Sequence, residues 1–391
     1  MQNHLVRGGA VVARWAHNPK VVGSNPAPAT KIIKAGCNSN LFFVYLYTKK
    51  YFNYFRIMGL FSCFTEGMSV EIGTNYTRIM KNGIVLLDDS SIVAYRETHD
   101  ENVRHCFCAG IECYSYDDPE EVKYLYPVKE GILADFDAVV FMLREFKKRL
   151  HSSIPRRLLV ATPGYVTAEL DIRVFKEAIE MAFGRVFWKK YAVSVPVAAV
   201  AGLGYDVFDD SIVHCLVDVE DEMSSVSLVC GGKLLAVKKC AKVGLIFNNK
   251  VIEYYKTNGL LIETWTARKA KELLSGGENE YVVRCRNLET GVSEDRTFAR
   301  KEVELWFDSS YKKLVECFKD CIKEKSITEK PVKYHLIGGA SQTIGLKDYL
   351  ENATHCSFYI PAEPDKVIIK GLDMLNTKEN IKRLSMCGCL S

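Results

Sequence analysis

The segment YPVKEGILADFD, Tyr126 to Asp137, runs straight into an apolar-periodic stretch, and that junction frames the rest of the chain. From Asp135 to Leu150 the residues Phe136, Val139, Val140, Leu143 and Phe146 recur at helical spacing, so one face is built for burial. Asp135 and Asp137 open this helix and Lys147, Lys148 and Arg149 close it, as the helix dipole favours. Downstream, Arg157 to Thr162 reads as a buried strand. Thr167 caps a second helix carrying Leu170, Val174, Ala178 and Met181. Val186 to Tyr191 reads as a strand and Pro196 to Ala201 as a helix of small residues. Upstream, Ser69 to Gly73 alternates as a short strand. Tyr76 to Met80 and Ile84 to Leu87 flank Lys81-Asn82-Gly83, and Asn-Gly between β-prone runs is a strong hairpin signal. Ser91 to Tyr95 supplies a third strand.

The order then restarts. Ile212 to Val219, Ser224 to Cys230 and Lys233 to Cys240 read as strands, with Gly231-Gly232 turning between the last two. Helices follow near 247–258 and 264–275, and a long amphipathic helix over about 301–325. Tyr334 to Gly339 is a strand that runs into a glycine turn. Each half opens with a β-meander whose first strand ends in a carboxylate, Glu71 in one and Asp218 in the other. Two similar lobes facing a central cleft make a duplicated α/β fold.

The chain has 391 residues, enough for two lobes with real cores, and a formal charge of +4. Residues 1–57 hold eight Lys or Arg and no acid; the remainder carries 44 basic against 48 acidic residues, a net of −4. A mildly acidic body argues against nucleic acid as a partner. No apolar run reaches the ~18 residues that a membrane span needs. The 14 cysteines do not form a disulfide framework in a chain this long and read as reduced thiols. Cys106, Cys108 and Cys113 cluster without a zinc spacing, and Cys387 and Cys389 lie in a polar tail.

Residues 1–57 read differently from the rest. Gly23-Ser24-Asn25-Pro26 is what the T-arm of a transfer RNA gene, GGTTCGAATCC, gives when translated in frame. The following Lys-, Asn- and Tyr-rich stretch resembles translated AT-rich DNA. The expected start is therefore Met58, with Met68 the alternative; a basic targeting arm is the rival reading of 1–57.

Six stretches in register resemble the MreB family, the actin-like proteins that determine rod shape in bacteria. Tyr126 to Asp137 is similar to the family's RPMKDGVIADFD. Val160 to Thr167, VATPGYVT, is similar to VCVPSGVT, and Pro196 to Leu203, PVAAVAGL, to EPMAAAIGAGL. Gly259 to Lys271, GLLIETWTARKAK, is similar to NLLIGERTAEEIK. Leu336 to Leu346, LIGGASQTIGL, is similar to LTGGGALLRGL, and Glu363 to Gly371, EPDKVIIKG, to DPLTCVARG. The resemblance implies the actin-like ATPase fold, with two duplicated lobes around a nucleotide cleft. It divides the chain into an extension at 1–57, a leader at 58–67, lobe I at 68–205, lobe II at 206–350, a return to lobe I at 351–380 and a polar tail at 381–391.

The resemblance also implies ATP or ADP with Mg, held between two hairpin turns whose backbone amides face the phosphates. The family's DLGTANT corresponds to Glu71 through Thr77, which keeps Gly73 and Thr74, places Asn75 beside them, and keeps a carboxylate at Glu71. The family's DIGGGTTE corresponds to Asp218 through Ser225, where Glu220, Asp221 and Glu222 replace three glycines. Glu71 and Asp218 are the implied metal carboxylates. Acids beside a triphosphate oppose it: two unit charges about 5 Å apart, at an effective dielectric near 20, repel by roughly 3 kcal/mol. The position of the water-positioning Glu holds Leu170. Its neighbours Glu169 and Asp171 are each turned about 100° away on a helix. On the adenosine side Lys271 matches, Arg268 replaces an acid, and Gly338, Gly339 and Ala340 stand for the three glycines beside the base.

From Met58, MGLFSCFTEGMSVEIG resembles the family's short membrane-contact leader, with Leu60, Phe61 and Phe64 inserting weakly and relying on filament avidity. The family's second membrane loop corresponds to Ser152-Ser153-Ile154, where only Ile154 is apolar. The resemblance thus implies a cytoplasmic protein, peripheral on the inner face of the cytoplasmic membrane. Its expected partners are itself, in filaments, and the cell-shape and cell-wall machinery. Two alternatives remain open: a nucleotide-independent actin-like scaffold, and an active ATPase or sugar kinase of the same superfamily.

Overall fold

The computed structural model describes residues 67–97, 104–116, 122–151, 154, 156–165, 169–184, 187, 189–240, 242–301, 308–323 and 330–390. In the first half, β1 (Gly67–Ile72), β2 (Tyr76–Lys81) and β3 (Ile84–Ser90) form the antiparallel meander. Its hairpin turns at Asn82 and Gly83, both with positive φ, as Asn-Gly turns require. Helix α1 (Phe136–Arg149) follows, capped by the Asp135 carboxylate accepting from the Ala138 N–H. Then come β4 (Arg157–Thr162), α2 (Glu169–Phe183), β5 (Lys189–Ser194) and α3 (Val195–Gly202). The strand order is β5-β4-β1-β2-β3, with β4 and β5 parallel to β1.

The second half repeats this plan. It has β6 (Val213–Val219), β7 (Ser224–Cys230) and β8 (Lys233–Cys240), then α4 (Val243–Thr257), α5 (Thr264–Ser275) and α6 (Asp308–Lys323). After these come β9 (Val332–Ile337), α7 (Leu346–Thr354) and the short β10 (Phe358–Tyr359). The order is β8-β7-β6-β9-β10, again with two parallel strands beside the meander. Position for position the sheets correspond, and the expected duplication is present.

Each lobe has its own core, around Phe146, Leu158 and Phe175 in one and Leu228, Phe298 and Phe318 in the other. A third core lies between the sheets. It gathers Leu159 and Val193 from lobe I, Leu216 and Ile337 from lobe II, and apolar faces of α3, α8 (Val367–Leu375) and α9 (Lys378–Met386). Helices α3 and α8 cross at glycines. A Cβ on Gly202 would stand 1.9 Å from the Val367 carbonyl oxygen, and one on Gly371 1.8 Å from that of Ala198. Both glycines belong to the quoted motifs, and only glycine allows this approach.

The structure corrects several expectations. The strand read at Ser91 to Tyr95 is Val93–Glu97 and leaves the main sheet. It lies between Arg104–Ala109 and Lys123–Leu125 in a separate three-stranded sheet. The strand read at Val186 to Tyr191 is β5, shifted towards the buried Ala192 and Val193. Before α6 stands a hairpin, Glu280–Asn287 with Ser293–Ala299, to which the sequence reading assigns no element. Residues 351–359 stay with lobe II, because β10 pairs with β9 and Phe358 is in that core; the return to lobe I begins with α8. The tail at 381–391 is not simply polar. Thr377 caps α9, and Ile381 and Leu384 are buried in the shared core. Nor are all the cysteines reduced. Helix α6 packs across β8, and Cys240 and Cys317 are joined in a disulfide, with Cα atoms 5.9 Å apart. Among the described residues ten further cysteines form no disulfide, and none joins a group able to hold a metal.

Candidate functional site

The first strand of each sheet delivers its terminal carboxylate to the space between the lobes. A cavity of about 430 Å³ lies there. Glu71, Gly73 and Asn75 line it from lobe I, Glu220, Asp221, Arg268 and Lys271 from lobe II, and Gly339 and Ala340 from the turn after β9. A smaller cavity of about 90 Å³ adjoins it, lined by Glu71, Gly73, Thr74, Asp218, Glu220 and Glu222. Gly338 lines neither. It packs behind Asp218, where a Cβ would stand 2.5 Å from the carboxylate Oδ1. The expected residues are thus gathered in one place, with exceptions. Glu169 and Asp171 are exposed at the start of α2 and line neither cavity. Leu170 occupies the first turn of the same helix. Leu60, Phe61, Phe64, Ser152, Ser153 and the Thr167 cap lie outside the described residues.

The three acids of the second turn do not act together. Asp221 turns into the lobe II cations: its carboxylate accepts from Lys271 Nζ and lies 3.4 Å from Arg268 Nε. It also accepts from Asn75 Nδ2 of lobe I, at 3.3 Å. Burial pushes this carboxyl up, but Lys271 and Arg268 outweigh it and hold Asp221 below the ordinary carboxylate range. Glu220 lines both cavities, and burial raises its pKa. Glu222 faces the smaller cavity. The expected three-way repulsion of phosphates therefore needs correction. One of the charges is already neutralised, by cations that the resemblance puts on the adenosine side and that the structure brings to the second turn.

The sequence reading passed over the centre of the cleft. Arg78, in the largely buried β2, is 5% exposed. Its Nε donates to Asp88 at 2.9 Å, and Nη2 and Nη1 donate to the side chain and carbonyl of Asp365 at 3.0 and 2.8 Å. Glu71 Oε1, at 3.8 Å, is beyond hydrogen-bond reach. Burial pushes the Glu71 carboxyl up to about 8, so it is largely protonated at neutral pH. Arg78 and Arg268 sit over the Tyr76 ring, 5.1 and 5.2 Å from its centroid, a cation–π pair that links the lobes. A second bridge joins Glu130 of lobe I to Lys239 and Lys242 of lobe II, while Tyr165 donates to the Glu130 carbonyl. Glu130 and Gly131 form a tight turn with positive φ, and the Gly131 N–H donates to Thr74 Oγ1 at 3.1 Å. The signal for Arg78 was present in the sequence as a charge inside a buried strand, which is rare unless paired.

Glu71 Oε2 and Asp218 Oδ1 are buried without a hydrogen-bond partner. Burial raises Asp218 well above the usual carboxylate range, as it does Glu71. Two orphaned carboxylates at adjoining strand ends fit a divalent cation that takes its other ligands from water and phosphate, as magnesium does.

The family model described as MreB/Mbl protein matches residues 65–384. The cell shape-determining protein MreB of Escherichia coli (strain K12) is 27% identical over 253 residues, covering 61% of this chain and 72% of that protein. The cell shape-determining protein Mbl of Bacillus subtilis (strain 168) is 24% identical over 273 residues, covering 66% and 79%. The crystal structure of MreB 5 of Spiroplasma citri bound to AMPPNP superposes with a TM-score of 0.71 at 16% identity, over 83% of this chain and 99% of that one. The structure bound to ADP gives 0.70. At that identity the likeness establishes the fold, which is the two-lobed actin-like one. The family match spans both lobes and the shared layer, and the chain belongs to the MreB/Mbl family.

Proposed function

We propose that this chain is a cell-shape-determining protein that assembles with itself into actin-like filaments on the inner face of the cytoplasmic membrane, alongside the cell-wall machinery. Its cleft is held together chiefly by its own side chains rather than by nucleotide. The observation that carries this reading is Asp221, which takes up Lys271, Arg268 and Asn75 at once and so spans both lobes. ATP or ADP with Mg remains the ligand expected from the relatives. Glu71 and Asp218 would hold the metal, Gly73 and Thr74 the near phosphates, and Gly339 and Ala340 the base side. A bound cation would offset phosphate charge. The chain's own part would be to release Lys271 and Arg268 from Asp221, and that exchange weakens binding. Because Leu170 stands at the water-positioning place and Glu169 and Asp171 are exposed, hydrolysis stays near background, which argues against the ATPase or sugar kinase alternative.

Electron microscopy of the purified chain tests the reading. Protofilaments should form equally with and without Mg-ATP. Strict dependence on ATP would overturn the nucleotide-independent part, and a monomer under all conditions would overturn the filament. For the membrane leader, co-sedimentation with anionic liposomes should be lost in the Phe61→Ser, Phe64→Ser double variant. Each buried Phe is worth about 1.5–3 kcal/mol before ordering costs.

A further inference from the structure

Far from the cleft, lobe I carries a groove of about 450 Å³ at the starting ends of β4 and β5, roofed by α9. Five of its nine lining residues are Arg156, Arg157, Lys189, Lys378 and Lys382, and none is acidic. Its apolar lining is Tyr191, Ile381 and the 70% exposed Met386. Arg157 is committed to Asn376, through Nε to Oδ1 at 2.8 Å and Nη2 to the carbonyl. Lys189, Lys378 and Lys382 are exposed and meet no carboxylate among the described residues. This positive groove stands on a body whose net charge beyond residue 57 is −4.

The complementary charge is in the same chain. Asp117-Asp118-Pro119-Glu120-Glu121 places four carboxylates in five residues. This segment joins Tyr116 to Val122, on the small three-stranded sheet. That sheet is entered from Ser90, which pairs with Tyr76 at the cleft end of the main sheet. It is left through the turn whose Gly131 bonds Thr74, also at the cleft end. Gly67, Arg157 and Lys189 pair at the opposite end of the same strands. The chain thus enters and leaves the sheet that carries the acidic segment at the cleft end of the main strands, and the basic groove lies at their other end. Copies stacked head to tail would bring the segment of one to the groove of the next, repeatedly, the heterologous contact that need not close.

Resting on the filament reading above, we propose that the groove of Lys189, Lys378 and Lys382 receives the acidic segment 117–121 of the next copy, with Pro119 against its apolar lining. Such a contact sets register and speeds association more than it adds affinity. It weakens with salt, since the Debye length falls from about 10 Å at 0.1 M to about 3 Å at 1 M.

Two measurements on the full chain test this. In the first, a labelled peptide spanning residues 114–124 is titrated with the protein and followed by fluorescence anisotropy, which does not require assembly. Binding should be saturable and salt-sensitive, and at least tenfold weaker to the Lys189→Glu, Lys378→Glu, Lys382→Glu variant; Lys→Gln at the same positions should weaken it less. No binding, or equal binding to the triple variant, would overturn the proposal. In the second, pelleting should fail for the triple variant, fail for the Asp117→Lys, Asp118→Lys, Glu120→Lys, Glu121→Lys variant, and recover when the two are mixed or combined. Pelleting of the wild type that both reversals leave untouched would reject this contact and leave the filament reading standing; a wild type that never pellets would reject the filament reading, while the peptide still tests the groove. If the triple variant keeps the peptide but loses phosphatidylglycerol vesicles, the groove is a lipid site and the proposal is wrong.

Discussion

The two lobes follow one plan up to the end of their first strands and part in the turn that comes next. In both, a meander stands beside two parallel strands, and a carboxylate closes the first strand, Glu71 in lobe I and Asp218 in lobe II. In lobe I the following turn keeps Gly73, whose N–H donates to the Tyr76 carbonyl at 2.9 Å in a closed loop. In lobe II the same place holds Glu220 and Asp221, and Asp221 reaches back into α5 and across to Asn75. The lobes also differ one layer down. Where lobe II buries His214 and His335, the matching strand positions in lobe I hold Gly67 and Leu159. A duplicated fold tolerates such divergence because its sheets and shared layer supply the stability, which leaves the turns free to change function.

The largest effect should come from the layer that the lobes share. Gly371→Ala places a methyl group against the Ala198 carbonyl, and α3 and α8 must separate to admit it. We expect a loss beyond about 4 kcal/mol, the range reserved for gross overpacking or strain. Thermal melts and soluble yield check this. A variant that melts like the parent would show that the crossing of α3 and α8 is looser than described.

Next come two opposed pH effects, one common to the lobes and one peculiar to lobe II. Glu71 is raised from 4.5 to about 8 by burial, so the folded state keeps a proton that the unfolded chain releases. Stability is therefore full below about 4.5 and is lost as pH rises towards 8, by about 5 kcal/mol at most, at 1.36 kcal/mol per unit. Glu71→Gln should flatten this alkaline limb. His335 is 1% exposed, with its Nε2 3.1 Å from His214 Nδ1, and burial and His214 lower it to about 4. The folded state refuses a proton that the unfolded chain takes, so stability is lost as pH falls from 6.5 to 4, by about 3 kcal/mol. His335→Leu should flatten this acid limb, giving lobe II the residue that lobe I carries. Melts from pH 4 to 9 decide both. A limb unchanged in its variant would refute that assignment.

Much of this was legible in the sequence. The meanders, the Asn82-Gly83 hairpin, α1 and β4 follow from periodicity and turn chemistry, and the duplication follows from their repetition. The gathering of Glu71, Gly73, Asn75, Asp218 and Asp221 at one cleft was legible through the resemblance. The polarity of the second turn was legible, but the direction of its side chains was not. Whether Asp221 faces a phosphate or a lysine depends on Arg268 and Lys271 on α5, almost fifty residues away in sequence. Arg78 was missed because Asp365, which accepts two of its three hydrogen bonds, lies 287 residues away in sequence. α9 was missed because its two buried residues, Ile381 and Leu384, leave a surface that reads as polar. The disulfide was missed because β8 and α6 meet only in the fold.

The smallest effect in energy addresses the contrast between the turns directly. Isothermal titration calorimetry should be run with Mg-ATP, Mg-ADP and adenosine on the parent chain, on Asp221→Gly, and on a chain with Gly at Glu220, Asp221 and Glu222. The parent should bind adenosine or ADP in preference to ATP, and weakly, because a triphosphate must take Lys271 and Arg268 from Asp221. Removing Asp221 should strengthen ATP binding at least tenfold, about 1.4 kcal/mol. The triple glycine chain should gain little more, and hydrolysis should stay low until Leu170 is also changed to Glu. A parent that already binds Mg-ATP with micromolar affinity, or an Asp221→Gly chain no better than the parent, would contradict the account of a cleft closed by its own ion pairs.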